Sequence, residues 1–539
     1  MKRKKIYTLF LLLTVLVAWS CSEDFLNRPP KDTLLVGNFY NTAEGIQMAV
    51  NAMYQPLGAE GFNGKTYWMI GDGASDDAGP NGDDPDYIPI DQFTLAAGNE
   101  RNAGLWQKIY TMIALNNIVL EHIEGNSADQ DILDAAEGQA RALRAFGYFI
   151  LVRLYSDVPL LLDGMTPEEL EAPYRTSAYE VYLQIIEDLE RAIEILPTRS
   201  EFYAINPDFV GRINKHAAMG LLAYVYMTIA GELDMYNTET YPDNETNIAG
   251  IMDKTTCWNT ALDLCNDIIN SNEYSLIPNF RDLWTREGDN CAESIWQLQF
   301  LGCGDYEAGN MRQAFWAPWQ SDITGAGDGW GTHSPSASLA ACFYDDPDSL
   351  IVSGNTVDAS VVPPGDHRFY WTLMFPGVPI PELPQSDGTP YTLAYSYGAS
   401  GFACRKYIIG RGSDVCSMSA PNNVYMLRLG EILIMKAECQ AELGQTAEAA
   451  STLDPIRERA GKSGISTSLS QTEMINAVRL ERRRELALEQ KRWFDIIRWG
   501  IAVDVLDEQG ITLPPARRLF PIPSTEIALN KNLLQNTSY

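Results

Sequence analysis

Histidine is nearly missing from this chain. There are four in 539 residues, His122, His216, His333 and His367, and none falls within HExxH or beside a GxSxG elbow. A zinc-held water and a base-activated serine, the two hydrolytic devices most legible in sequence, therefore lack support. No CxxC pair occurs, so a thiolate zinc site lacks its usual spacing. Positive charge is scarce too: 40 Lys and Arg stand against 71 Asp and Glu, a formal net charge of −31. Such a surface repels phosphate backbones and anionic lipid, which argues against nucleic acid as a partner. The apolar run from Ile6 to Trp19 is about fourteen residues, short of the roughly twenty that a membrane-crossing helix needs.

What that run has is the form of a signal peptide over residues 1–20: Lys2, Arg3, Lys4 and Lys5, then the apolar stretch, then Ala18 and Ser20 before Cys21. Small residues at those two positions suit cleavage before the cysteine. Cys21 at the first mature position resembles a lipobox cysteine that is acylated, although Ala18 replaces the usual leucine. Ser22, Glu23 and Asp24 follow at once, similar to the acidic signal with which Bacteroidetes-type bacteria send lipoproteins to the outside of the outer membrane. Losing the four basic residues takes the mature charge from −31 to −35 (−31 minus 4).

Nine cysteines less Cys21 leave eight, an even number where disulfides persist. Cys257 and Cys265 are eight apart in a predicted helix, about 12 Å of rise, too far to bridge. Cys291 with Cys303, and Cys404 with Cys416, are possible loop closures; the alternative is that most are small buried apolar residues.

Helices are expected in pairs. Asn41 with Glu44, Ser127 with Gln130, Ser177 with Glu180 and Ser470 with Glu473 have capping-box spacing. After Ser127, Ile132, Ala136, Ala140, Leu143, Gly147, Ile150 and Leu154 form one stripe of a helix; after Ser177 come Val181, Ile185, Leu189, Ala192 and Leu196, ending at Pro197. Residues 211–230 with 257–271, and 424–444 with 447–461, repeat the pattern, with Ala217, Ala223, Ala437 and Ala441 on the apolar faces. Such pairs resemble tetratricopeptide repeats, which bury a core only by stacking. A last helix is expected over 474–500, where Glu481 with Arg484, Arg482 with Glu485, Glu489 with Arg492 and Asp495 with Arg498 are three apart. That spacing predicts a solvated, salt-bridged helix.

Residues 276–420 differ, being rich in Gly, Pro, Trp and Tyr, with 294–300 (SIWQLQF) as a strand. The chain thus reads as a signal peptide (1–20), a helical region (21–275), a loop-rich region (276–420) and a helical C-terminal region (421–539). Trp316, Trp319 and Trp330 lie among Gly and Pro in 314–335. Indoles on loops need a cover; the loop itself is one, a sugar ring stacked on the indole another. In 67–84, Asp72, Asp76, Asp77, Asp83 and Asp84 cluster. A hand-shaped calcium loop starting at Asp72 would place Ala74 at its third ligand position, so no metal is assigned. Asp76 and Asp77 are instead expected as hydroxyl acceptors near Trp68.

Taken together the motifs resemble the SusD/RagB family: the lipobox, FLNRPPKDTL (25–34), ARALRAFGYFILVRLYSDVPL (140–160), GWG (329–331), YMLRLGEILIMKAECQAELG (425–444), RRRELALEQKRWFDIIRWG (482–500) and LFPIPSTEI (519–527). The resemblance implies a mainly α fold, a tetratricopeptide-like helical-hairpin scaffold carrying an irregular, loop-rich ligand-binding insertion. It implies a cell-surface glycan-binding lipoprotein, anchored in the outer membrane through Cys21. Such a protein passes oligosaccharides to a SusC-like TonB-dependent transporter, without catalysis or cofactor. Ligand residues do not follow a shared motif, so Trp316, Trp319 and Trp330 are read as stacking platforms, with Trp68, Asp76 and Asp77 as a second wall. A surface-anchored glycoside hydrolase and a peptide-binding member of the same family remain the alternatives.

Overall fold

The computed structural model describes residues 39–539 apart from 164–173, 236–249, 303–308, 320–322, 324–328, 347–351, 354–355, 358–364, 394–397, 399, 413–414 and 416–418. The signal segment, Cys21, Cys303 and Cys416 lie outside the described residues. None of the described helices is long and apolar enough to cross a membrane.

The scaffold is a run of helices: α1 (Ala43–Gly58), α2 (Glu100–Glu121), α3 (Gln130–Tyr155), α4 (Ala178–Ile195), α5 (Lys215–Met235), α6 (Lys254–Asn270), α7 (Leu429–Glu442), α8 (Thr446–Arg459), α9 (Gln471–Glu485) and α10 (Arg492–Arg498). Each of α1 to α8 packs on the next in this order, and α9 packs on α7 and α8. This is the stacking of hairpins that small apolar faces require. Ala217, Ala223, Ala437 and Ala441 are all buried at these contacts.

Local signals set several helix ends. Ser177 caps α4 by accepting from the Glu180 N–H, and Ser470 with Glu473 forms a full capping box on α9. Two other caps differ from expectation. Thr42, not Asn41, accepts from Gly45 at the start of α1; α3 starts at Gln130 with no side-chain cap, while its apolar stripe is buried from Ala136 to Leu154 and half-buried at Ile132.

Residues 424–428 are not helical. They form β4 (Val424–Arg428), antiparallel to β2 (Ser294–Leu298), and all ten residues of the pair are buried. The expected helix over 474–500 also breaks. Leu488 and Gln490 have positive φ, 59° and 65°, and the chain turns between α9 and α10.

That turn changes the meaning of the charged run. Arg482, Arg484, Glu485, Glu489, Arg492, Asp495 and Arg498 are buried, so the solvated face expected for them is absent. Of the four pairs spaced by three, Glu481–Arg484 and Asp495–Arg498 do meet, at 3.9 and 3.0 Å. Arg482 instead reaches Asp495 (2.7 Å) and Glu431 (3.2 Å), and Glu489 takes Arg428 and Lys406 (both 2.9 Å). Glu485 accepts from Arg368 (3.0 Å), Arg428 (2.7 Å) and Arg459 (2.5 Å). A buried charge persists only when paired in this way, and the network fastens the 366–368 turn, β4, α8 and α9 together. Cys257 and Cys265, both on α6, are not bridged to each other, as their separation requires, and both carry free buried thiols. Cys291 and Cys404 are described, but the partners that spacing offered them are not.

Candidate functional site

The loop-rich insertion is built on a buried aromatic cluster. β1 (Ala78–Pro80) pairs antiparallel with β3 (His333–Pro335), which draws the 67–84 stretch onto the 314–335 stretch. Beneath the pair, Trp68 and Trp316 meet edge to face with ring centroids 5.7 Å apart, and Trp316 stacks on His333 at 5.2 Å. His333 Nδ1 lies 2.6 Å from the Tyr87 hydroxyl. Burial, helped by the Arg312 guanidinium, pushes His333 down to about 3, so the ring is neutral at ordinary pH.

Trp68 and Trp316 are each 0% exposed. They are therefore core residues in this structure and do not form the surface platform and wall expected of them: His333, Tyr87, Phe315 and Tyr407 surround them. Asp76 and Asp77 are likewise engaged. The two carboxylates lie in ion pairs with Arg483 and Arg492, with Arg492 forked onto Asp76 at 2.7 and 2.9 Å. Their acceptor oxygens serve the fold rather than a hydroxyl ligand. Asp72 is fully buried and accepts from the Gln490 N–H at 2.8 Å; burial, then the neighbouring Asp77, raises its carboxyl well above the ordinary range. Among the described residues no group of three His, Cys, Asp or Glu side chains is placed to hold a metal ion.

Trp319 and Trp330 stand differently, at 54% and 44% exposed. The short helix Arg312–Trp316 holds both. Its buried end, Phe315 and Trp316, anchors the backbone; Ala317 and Pro318 then lead outward to Trp319. The returning strand is tied back at once. The Trp330 N–H donates to the Ala314 carbonyl (2.7 Å), the Thr332 N–H to the Phe315 carbonyl (2.8 Å), and Trp319 is bridged in parallel to Gly329. Glycine is required at 329, because a Cβ there would sit 2.5 Å from the Ala317 carbonyl oxygen. Gly331 turns the chain with φ of 56°, a conformation glycine adopts without steric cost.

The Trp330 ring packs edge-on against Phe315 at 5.2 Å, and Lys65 Nζ lies 4.6 Å over the same Phe315. Lys65 pairs with Asp84 at 3.4 Å, Arg101 with Asp84 at 3.7 Å and with Glu60 at 3.1 Å. Asn81 Nδ2 donates to the Gly331 carbonyl at 2.9 Å, and its backbone N–H to the Thr332 carbonyl at 2.9 Å. Burial raises the Asp84 carboxyl, but Lys65 and the Asp86 N–H outweigh it and hold the carboxylate low. Two half-exposed indoles on a fixed backbone thus share a corner with part-exposed guanidinium, amide and carboxylate groups, while the Lys65 ammonium is buried. This set can stack on a flat apolar face and exchange hydrogen bonds around its rim. Lys65, Asn81 and Arg101 were not singled out by sequence; no spacing links them to the tryptophans, and they come together through the β1–β3 pairing, the Lys65–Phe315 contact and the shared Asp84.

Known proteins give the arrangement its place. The sequence profile of the SusD family matches residues 292–539, and a second profile, described as "Starch-binding associating with outer membrane", matches residues 37–227. SusD-like protein P2 of Formosa agariphila is 27% identical over 572 residues, covering 99% of this chain and 99% of its own. A SusD homolog from Bacteroides thetaiotaomicron is similar in structure with a TM-score of 0.77 at 20% identity, over 95% of this chain and 100% of that one. A laminarin-binding SusD-like protein gives 0.70 at 22% identity, over 92% and 99%. The chain belongs to the SusD/RagB family, and the structural likenesses establish the shared mainly helical fold.

Proposed function

We propose that this protein captures oligosaccharides at the bacterial cell surface and passes them to a SusC-like TonB-dependent β-barrel transporter in the outer membrane. The single observation that carries the reading is the pair Trp319 and Trp330, half exposed on a backbone tied down at Ala314, Phe315 and Gly329. Indole faces offered to water are unfavourable unless something covers them. A pyranose ring covers them well, since its C–H face is apolar and its hydroxyls can pair with the part-exposed Asn81, Arg101 and Asp84 nearby. Holding the rings fixed beforehand lowers the entropy lost on binding. The laminarin-binding neighbour and the starch-binding family description support sugar as the ligand class.

In this reading Cys21 carries the lipid that holds the chain on the outer membrane, facing the exterior, and the protein binds without cutting. The test is titration calorimetry of the soluble chain from Ser22 onward against a panel of neutral oligosaccharides, with analysis of the same mixtures for products. Binding without cleavage supports capture. Cleavage replaces it with a surface hydrolase, and heat with peptides but with no sugar replaces it with a peptide-binding member of the family.

A further inference from the structure

A cleft of about 460 Å³ lies where α1, the turn at 209–212 and the strand that continues from β2 meet, and it shares no residue with the Trp319 and Trp330 corner. Its size falls within the roughly 300 to 1,000 Å³ of small-molecule sites. Carboxamides come from two of the three elements. Asn51 and Gln55 are four apart and so lie on one face of α1, while Gln297 and Gln299 come from the strand.

Part of this lining is already fixed. Gln299 Oε1 accepts from Asn290 Nδ2 and Asn423 Nδ2, both at 2.9 Å, and Gln299 Nε2 donates to Asn290 Oδ1 at 3.1 Å. Arg212 donates to Asn51 Oδ1 at 2.6 Å and to Gln139 Oε1 at 3.3 Å, with its guanidinium 4.2 Å over the Phe209 ring. Gly211 has a φ of 80°, and a Cβ there would sit 2.1 Å from Gln299 Nε2; glycine thus lets the turn lie against the strand. Two lining side chains stand apart from this network. The Gln55 carboxamide is exposed and has no hydrogen-bond partner among the described residues, and Leu301 is 75% exposed.

We propose that this cleft holds a neutral sugar unit, a pyranose with free hydroxyls. A carboxamide donates through nitrogen and accepts through oxygen, which matches a hydroxyl that does both. Gln55 is the group left to make that exchange, and Leu301 with Val210 gives the C–H face an apolar rest. Because Gln299 and Arg212 are held beforehand, little side-chain freedom is lost when a ring settles. With no exposed aromatic side chain among the described residues of its lining, the cleft binds a ring less tightly than the corner does. The choice of a sugar over a short peptide rests on the glycan-capture reading, since peptide amides also donate and accept.

The test is calorimetry and saturation-transfer NMR of the soluble chain from Ser22 onward with three neutral probes, laminarihexaose, maltohexaose and a xyloglucan oligosaccharide. Trp319→Ala combined with Trp330→Ala removes the rings of the corner, and this double variant should keep weaker but measurable binding of at least one probe. Adding Gln55→Ala and Leu301→Ala should lower that remaining affinity at least tenfold at an unchanged melting temperature, because both side chains are exposed and surface substitutions cost little stability. Loss of all sugar binding in the double variant overturns the inference, as does a remaining affinity that the two added substitutions leave unchanged; capture at the corner stands in either case. A parent protein silent on every sugar overturns the capture reading, and the inference with it. Binding of tetraglycine by the double variant, removed by the same two substitutions, makes the cleft a peptide site and overturns the inference.

Discussion

Arg492 holds Asp76 with two near-parallel hydrogen bonds, 2.7 and 2.9 Å long, across 416 residues of sequence. Both side chains are buried. The pair clamps α10 onto the loop that leads into β1, and so onto the floor of the tryptophan corner. Removing one partner of a buried pair leaves the other charge stranded, at about 3 to 5 kcal/mol. Arg492→Ala and Asp76→Ala should each lower unfolding free energy by that order in urea, and the double variant by clearly less than their sum. A drop in glycan affinity without loss of stability on Asp76→Ala would return that carboxylate to the binding role that sequence suggested.

Glu485 gives a prediction in acid. Burial alone would raise its carboxyl, but Arg459, Arg428 and Arg368 overcome that and hold it far below the ordinary range. A carboxylate depressed in the folded state adds stability that is complete above its unfolded value near 4.3 and is lost as pH falls through the folded one. Glu485→Gln should therefore cost about 3 to 5 kcal/mol at pH 7, and its gap to the parent should narrow steadily below about pH 4. Denaturant melts at pH 7, 5, 4 and 3 check this; a constant gap would contradict it.

Asp91 should behave in the opposite sense. Burial raises its carboxyl from the ordinary 3.8 to about 7. The folded protein then holds a proton that the unfolded chain has released, so stability from this group falls as pH rises from about 4 to 7 and stays low above. Asp91→Asn removes the penalty. The variant should be more stable than the parent at pH 8, by up to roughly 4 kcal/mol, with little advantage at pH 4. Equal melting of the two proteins at pH 8 would show that the folded carboxyl ionises without cost.

Trp316 and Trp330 should separate stability from binding. Trp316→Ala empties a site walled by Trp68, His333 and Tyr407 and should cost about 3 to 5 kcal/mol. Trp330→Ala removes a ring already 44% exposed and should change stability by less than about 1 kcal/mol, in line with surface substitutions. Thermal unfolding of both variants side by side gives the answer.

The parts of this molecule that were legible in sequence are those decided within a few residues. Ser177 and Ser470 cap their helices because hydroxyl and N–H lie on one turn, and the stripe of α3 follows from helix geometry alone. What was misread depends on partners far away. Residues 424–428 have helix-like apolar content, but Ser294–Leu298 captures them as a strand. The charges of α9 and α10 are spaced as on a solvated face, and the same spacing serves a buried network once Glu431 and Glu438 on α7 and Arg459 on α8 supply partners. Trp316 and Trp319, three residues apart, share their local composition. Trp68, Asp76 and Asp77 were assigned to a wall because an indole and a cluster of acids fall within one short stretch; a cluster of acids has the same composition whether it meets a ligand or Arg483 and Arg492.

The measurement that bears most directly on glycan capture is calorimetric titration of Trp319→Ala and Trp330→Ala, each in the soluble chain from Ser22 onward, with the neutral oligosaccharide that binds the parent best. Aromatic stacking contributes about 1 to 3 kcal/mol per ring, so at least one variant should lose roughly tenfold or more in affinity while its melting temperature holds within a degree or two. Parent-like affinity in both variants would contradict the account and move the binding site away from this corner.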